Sequence, residues 1–381
     1  MDFSWTEDQL VFKKAVIDFA QKELNRDMIE RDRQGSFSRE LWKKCAEFGI
    51  QGLPFPEVYG GADADILTTM LTMEGLGYAC RDNGLVFGIN AQMWSVQMPI
   101  FTFGTQAQKE RYLPALCRGE LIGAHGMTEP DTGSDAYHLR TRAERQDGGY
   151  LLNGSKMFVT NAPVADLAVV FATVDSSKGM WGITGFIVEK GTPGFFISRD
   201  IEKMGLRTSP MGELVLQDCY IPEENRLGPE GAGSRIFNHS MEWERSCILA
   251  SHLGAMEHQL ETCIQYARDR VQYNQPIGKF QSVANRIVDM KVRLETARLL
   301  LYKVAWLKKS GQSAVMEAAM AKLYLSECFV QSGLDAVRTL GGYGYMTEFE
   351  VERDLRDAIG GIIYSVTSDI QRNIIARLLG L

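Results

Sequence analysis

The chain is predicted to fold as an α+β protein in three parts: a helical domain, a small β domain and a helical bundle. Three observations carry this. All 11 prolines lie between Pro54 and Pro276, which leaves residues 1–53 and 277–381 without any. Helix interiors exclude proline, because it lacks an N–H and clashes with the preceding turn. Between residues 123 and 225 the texture changes to short apolar runs broken by Gly and Pro, as strands are. From Gly233 onward the helical period returns in long proline-free segments. The expected divisions are 1–122 (N-terminal α-helical domain), 123–225 (central β domain) and 226–381 (C-terminal helical bundle domain).

The elements follow in order. Ser4-Trp5-Thr6-Glu7 offers a helix cap with acids in the first turn, and Leu10, Phe12, Ala15, Val16, Phe19 and Ala20 recur at helical spacing. Further helices are expected at 38–48, 65–79, 89–103 and 106–117. Asp147-Gly148-Gly149 before Tyr150-Leu151-Leu152 signals a hairpin. Leu167–Phe171, Gly185–Val188, Phe195–Ile197 and Leu214–Leu216 read as strands. GPEGAGS, with Gly228, Gly231 and Gly233, lacks the lysine of a phosphate-binding loop and reads as a linker. Long helices are expected over 235–270, 280–310 and 313–340, with shorter ones from about 351 and 368. Leu340-Gly341-Gly342-Tyr343-Gly344 reads as a helix stop.

Composition excludes several classes. At 381 residues, 45% hydrophobic and 23% charged, the chain can bury a large core. A net charge of −7 with no basic run argues against a nucleic-acid binder. MDFSWTEDQL lacks the basic-then-apolar order of a signal peptide, and no apolar run approaches the roughly 18 residues of a membrane helix. Seven cysteines without CxxC read as buried thiols of a reducing compartment, the cytoplasm. Five histidines without HExxH give a metal site no footing.

Six stretches carry chemistry. TEPDTGSD (Thr128–Asp135) alone reads as a capped surface turn. KMFVTN (Lys156–Asn161) lies in the β domain, and RVQYNQPIG (Arg270–Gly278), followed by Lys279, Phe280 and Gln281, lies in the bundle. With LGGYGY, RDLRDA (Arg353–Ala358) and IIYSVTSDIQR (Ile362–Arg372), their order and spacing resemble the acyl-CoA dehydrogenase family over nearly the whole chain.

The resemblance implies the acyl-CoA dehydrogenase fold, ending in a four-helix bundle. It implies FAD bound without a Rossmann unit, and a homotetramer. Thr128, Gly133 and Ser134 are then expected on flavin or pyrophosphate, Phe158 against the isoalloxazine, and Thr160 at the flavin N5 edge. Arg270, Gln272, Tyr273 and Gln281 resemble the groups that hold the ADP half across a subunit interface. Arg270 suits pyrophosphate, because its fork pairs bidentately. Arg338 stands where relatives often have Gln. Gly341 and Gly342 allow close approach, and Thr367 and Asp369 close the site.

The family reaction needs a carboxylate for the proton alpha to a thioester carbonyl, while the beta hydrogen leaves as hydride to the flavin. The carbonyl is polarised in part by a backbone N–H, here that of Ser365. Relatives often carry the acid at this same position, where this chain has serine. A second solution in the family, the isovaleryl type, takes the acid from the first long bundle helix, just before an arginine. Here that helix reads Met241-Glu242-Trp243-Glu244-Arg245-Ser246, so the resemblance points to Glu244. On its own Glu244 would read as a solvent-facing acid paired with Arg245. Glu242 is the rival, but it lies about 200° around the helix, so both cannot face one site. Arg245 and Tyr364 are expected near the substrate.

Asn83–Phe87, the MEWER run, Ile277–Leu300, and IIYSVTSDIQR with Ile374–Arg377 are similar to dehydrogenases acting on a prolyl group held by a peptidyl carrier protein, as in pyoluteorin, prodigiosin and anatoxin-a assembly. This implies α,β-dehydrogenation of a prolyl thioester on an acyl or peptidyl carrier protein, giving a pyrroline or pyrrole carboxyl thioester in natural product biosynthesis. The alternatives are an isovaleryl-type enzyme acting on short or branched acyl-CoA, and a flavin-binding scaffold that has lost catalysis.

Overall fold

The computed structural model describes residues 4–381; Met1, Asp2 and Phe3 of the opening stretch lie outside the described residues. Seven helices come first: α1 (Glu7–Glu23), α2 (Met28–Gln34), α3 (Arg39–Glu47), α4 (Ile66–Ala79), α5 (Asn83–Gln92), α6 (Met98–Phe103) and α7 (Gln106–Cys117). Thr6 caps α1 reciprocally: its side chain accepts from the Gln9 N–H, and the Gln9 side chain accepts from the Thr6 N–H. Helix α2 has no counterpart in the sequence expectation. Only Met28 of its seven residues is buried, and it starts from a left-handed Asp27 without a side-chain cap, so period and cap signals are both missing. Helix α5 begins at Asn83 rather than 89, because the Asp82 carboxylate accepts from the Leu85 N–H at 2.9 Å and starts it early.

Two prolines sit inside helical structure, both within the helices expected over 89–103 and 106–117. Pro114 lies within α7. Pro99 stands at the start of α6, directly after a turn of π-helix over residues 93–97 that joins α5 to α6. Pro99 has no N–H to give the carbonyl four residues back, that of Ser95. The ladder there runs five residues back instead, with the Met98 N–H on the Met93 carbonyl.

The middle of the chain forms one eight-stranded sheet: β1 (Gly123–Gly126), β2 (Arg142–Gln146), β3 (Gly149–Thr160), β4 (Leu167–Thr173), β5 (Ile183–Glu189), β6 (Phe195–Asp200), β7 (Met211–Pro222) and β8 (Arg226–Leu227). Its order is β6-β7-β3-β2-β4-β5-β8, with β1 pairing parallel to β4. Strand β4, LAVVFAT, is buried along its whole length. The predicted hairpin joins β2 to β3, turning at Gly148 with φ 76°.

Six helices complete the chain: α8 (Gly233–Cys247), α9 (Leu249–Asp269), α10 (Gln281–Lys309), α11 (Val315–Leu340), α12 (Val351–Gly361) and α13 (Ser368–Leu378). The segment expected as one helix over 235–270 is thus two, sharing Ile248. Helices α4 and α9 cross backbone to backbone. A Cβ on Gly77 would lie 2.0 Å from the Ser251 carbonyl oxygen, and one on Gly254 would lie 2.0 Å from that of Glu74. The largest core cluster joins the first helical set to the bundle, through residues such as Trp42, Trp94, Leu253 and Phe329. A second lies where α8 packs on the sheet; it holds Val96, Phe171, Phe237 and Met241, and Val366 packs against it. All seven cysteines are free and buried. Among the described residues no helix is long and apolar enough to cross a membrane.

Candidate active site

Helix α8 buries Ile236, Phe237, Ser240, Met241 and Glu244, a stripe at helical spacing. Glu244 therefore points inward and is only 8% exposed. Its Oε2 accepts from the Ser95 hydroxyl, and its Oε1 accepts from the Ser365 hydroxyl. Burial pushes its pKa above the usual carboxylate value, while the two hydroxyls, Arg245 and Lys322 act against that rise. Glu242 faces elsewhere: Lys308 Nζ lies 2.7 Å from its Oε1, and that ammonium sits 4.2 Å from the Trp243 ring centroid. Arg245 is half-buried beside Glu244 with its Nε buried and unpartnered, and desolvation lowers its pKa. Lys322 on α11 is fully buried and donates to the Gly361 carbonyl at 2.6 Å; burial, then Arg245, bring its pKa down to about 7.

Ser365 reaches Glu244 from a strained turn. Ser365 (φ 50°) and Val366 (φ 76°) are consecutive left-handed residues, and one is β-branched. Each costs roughly 1–3 kcal/mol that the surroundings must supply. Buried Gln371 helps, donating to the carbonyls of Ser365 (3.4 Å) and Val366 (3.2 Å). Thr367 caps α13 by accepting from the Ile370 N–H at 3.3 Å. The Ser365 N–H donates to no other described residue. Tyr364 packs 4.5 Å from the Phe87 ring, and its hydroxyl lies 2.8 Å from His252 Nε2.

A second group joins TEPDTGSD to KMFVTN. The Met157 N–H donates to the Thr128 carbonyl at 2.8 Å. Lys156 and Glu129, 0% and 3% exposed, form an ion pair at 2.7 Å. Burial alone would raise the Glu129 pKa, but Lys156 and hydrogen bonds from Thr141 and Arg140 hold it below the usual range. The pairing of β3 with β7 slips between Lys156 and Val159, and Phe158 in the slip has φ 57° and is 60% exposed. Thr160 closes β3, half-buried, before left-handed Asn161. Gly133 faces open space and Ser134 is exposed. His125 Nε2 and Thr132 Oγ1 in this region are buried without a partner.

A third group lines a cleft of about 470 Å³ that includes Arg270, Gln272, Gly341, Gly342 and Tyr343. Arg270 sits 5.6 Å from the Tyr343 ring centroid. Gly341, at φ 63° and ψ −132°, occupies backbone space closed to other residues, and neither glycine has an atom within 4 Å of a would-be Cβ. Tyr273 tips a two-residue turn at φ 50° and is 90% exposed. Gln281 is exposed at the start of α10. Arg338 pairs with Asp335 at 3.6 Å, and exposed Asp369 with Arg372 at 3.2 Å.

These features fit a flavin dinucleotide. An uncovered aromatic ring and orphaned polar atoms suit a flavin. A guanidinium beside bare backbone suits a pyrophosphate. Sequence reasoning missed Ser95, Glu129, Lys156 and Lys322. A lysine inside a strand of a buried sheet, and a serine four residues before a proline in an otherwise buried run, were the available signals.

Three family models match the chain: the acyl-CoA dehydrogenase N-terminal domain over residues 6–120, the middle domain over 124–219 and the C-terminal domain over 231–380. An L-prolyl-[peptidyl-carrier protein] dehydrogenase of Serratia sp. is 43% identical over 381 residues, covering 100% of this chain and 99% of that protein. The solved prolyl acyl carrier protein oxidase AnaB is 53% identical, with a TM-score of 0.98 over 99% of this chain and 100% of its own. PigA, solved with FAD and proline, is 43% identical, with a TM-score of 0.98 over the whole of both chains.

Proposed function

The chain belongs to the acyl-CoA dehydrogenase family, and on that premise we propose that it oxidises the Cα–Cβ bond of a prolyl thioester carried by an acyl or peptidyl carrier protein, using FAD. The observation that carries the reading is the buried Glu244 carboxylate bonded to Ser365, beside a backbone N–H left without a partner. A carboxylate deprived of water is a stronger base than one in solution, as abstraction of a weakly acidic C–H demands. Glu244 takes the Cα proton. The Ser365 N–H donates to the thioester oxygen, where negative charge develops. Bound FAD supplies the acceptor for the hydride that leaves Cβ. Arg270, Gln272, Gly341 and Gly342 would hold its phosphates, and Thr128, Phe158 and Thr160 would line its ring. The buried side chains of α8 and the Tyr364 ring keep water from the reacting carbons.

The prolyl group and the carrier protein rest on likeness to the relatives named above. Outward-facing Val288, Val292 and Leu299 on α10, with the projecting Tyr273, support a homotetramer that completes the cofactor site. The unpaired cysteines support a cytoplasmic setting.

The test is anaerobic mixing of the FAD-loaded protein with prolyl-loaded carrier protein, followed by flavin absorbance. Bleaching by the prolyl thioester supports the reading. Bleaching by isovaleryl-CoA alone replaces the substrate with a branched acyl-CoA. Glu244→Gln should keep FAD yet lose roughly 100- to 10,000-fold in reduction rate; normal reduction would remove Glu244 from its role.

A further inference from the structure

Two serines from distant parts of the chain meet the two oxygens of one buried carboxylate. Ser95 donates to Glu244 Oε2 from the π-helical turn that Pro99 accompanies, and Ser365 donates to Oε1 from the left-handed turn. Both serines are themselves buried. Each sits at a departure from regular backbone geometry, and each departure aims a hydroxyl at the same group. Among the described residues no ammonium or guanidinium hydrogen-bonds Glu244. The charged and titratable groups around it are Arg245 on α8, Lys322 on α11 and Tyr364 in the turn, while Lys308 is turned to Glu242.

We propose that Ser95 and Ser365 are positioning residues that hold both oxygens of the Glu244 carboxylate and keep it ionised in a buried pocket. The inference rests on Glu244 being the base. Its chemical logic is that a hydroxyl both donates and accepts. Toward the carboxylate the serines donate. When the C–H bond breaks and an O–H bond forms on Glu244, one serine rotates and accepts from the new carboxylic acid. A lysine or arginine at either place could only donate and would lock the carboxylate in its ionised state. Two serines instead suit a group that must pass between both states in every turnover. The pairing also gives the oxygens different places: Oε1 is held by the residue whose N–H is free for the thioester oxygen, so base and polarising donor share one rigid turn.

The experiment compares the wild type with Ser95→Ala, Ser365→Gly and Ser95→Thr. Glycine at 365 removes the hydroxyl, keeps the N–H and suits φ 50° without strain, so this variant carries the test even if Ser95→Ala fails to fold. Two readouts are taken against pH: the single-turnover rate of substrate-dependent flavin bleaching, and infrared titration of the buried carboxyl, assigned by its loss in Glu244→Gln. A hydrogen bond to a charged acceptor stabilises the ionised form, so removing one hydroxyl should move both the acid-side limb and the carboxyl titration upward by about one pH unit. Ser95→Thr should restore the wild-type position, and FAD content should not change. An unmoved limb and titration in both hydroxyl-deleted variants would overturn the proposal. Normal reduction in Glu244→Gln would instead overturn the base assignment, so the two failures are distinguishable.

Discussion

Replacing Lys156 by methionine would strand Glu129 inside the β domain. The pair is 0% and 3% exposed, and the carboxylate also accepts from the Arg140 N–H at 2.6 Å, the Thr141 N–H at 3.0 Å and the Thr141 hydroxyl at 2.5 Å. Removing one member of a buried ion pair costs about 3–5 kcal/mol, because the other charge stays behind unpaired. Three surviving hydrogen bonds put Lys156→Met at the low end, about 3 kcal/mol. Glu129 also fixes the loop that carries Thr128, Gly133 and Ser134, so FAD retention should fall with stability. Urea unfolding of the FAD-free and FAD-saturated forms measures both effects. Replacing both residues, Lys156→Met with Glu129→Leu, removes the orphaned charge and should destabilise less than the two single changes summed. A single variant within about 1 kcal/mol of wild type, or a double variant worse than that sum, would refute the reasoning.

Other outcomes follow from the same geometry. Burial, then Lys322, push the His252 pKa down to about 3, so between pH 6.5 and 3 the unfolded chain binds a proton that the fold rejects. Stability from this residue is therefore full above pH 6.5 and is lost as pH falls toward 3, by roughly 5 kcal/mol at the acid end; His252→Phe should flatten that part of the acid-unfolding curve. Pro99→Ala restores a helical N–H and should let the π-turn relax, moving Ser95 from Glu244; flavin bleaching should slow while circular dichroism stays unchanged. Gly341→Ala places a Cβ at φ 63°, ψ −132°, costing about 1–3 kcal/mol, and FAD affinity measured by fluorescence quenching should weaken.

Much of the architecture was legible because it rests on local periodicity. The strands from Leu167, Gly185, Phe195 and Leu214 announce themselves as short apolar runs between Gly and Pro, and the long helices α10 and α11 as proline-free segments of helical period. Helix α2 did not, since a short helix with one buried residue has no period to read. The proline-free ends are helical as expected, and the helices expected over Pro99 and Pro114 form as well, the first of them beside a π-turn. The site was harder for a physical reason. Glu244 and Ser365 lie 121 residues apart, and Ser95 and Glu244 lie 149 apart. No local pattern encodes contacts that exist only once three elements pack. Lys156 and Glu129 each look like surface residues until the strand and the loop bury both.

The left-handed pair at Ser365 and Val366 also bears on how this protein would respond to selection in the laboratory. A library screened only for heat resistance should converge on this turn, where glycine at 366 relieves the strain of φ 76°, offset in part by the packing Val366 makes against the core cluster beside α8. The same substitution frees the one segment that carries both the serine bonded to Glu244 and the unpartnered Ser365 N–H proposed to polarise the thioester. Survivors of such a screen should therefore melt later and turn over more slowly. A screen on turnover should instead leave valine in place, with the strain retained as the setting on which chemistry depends.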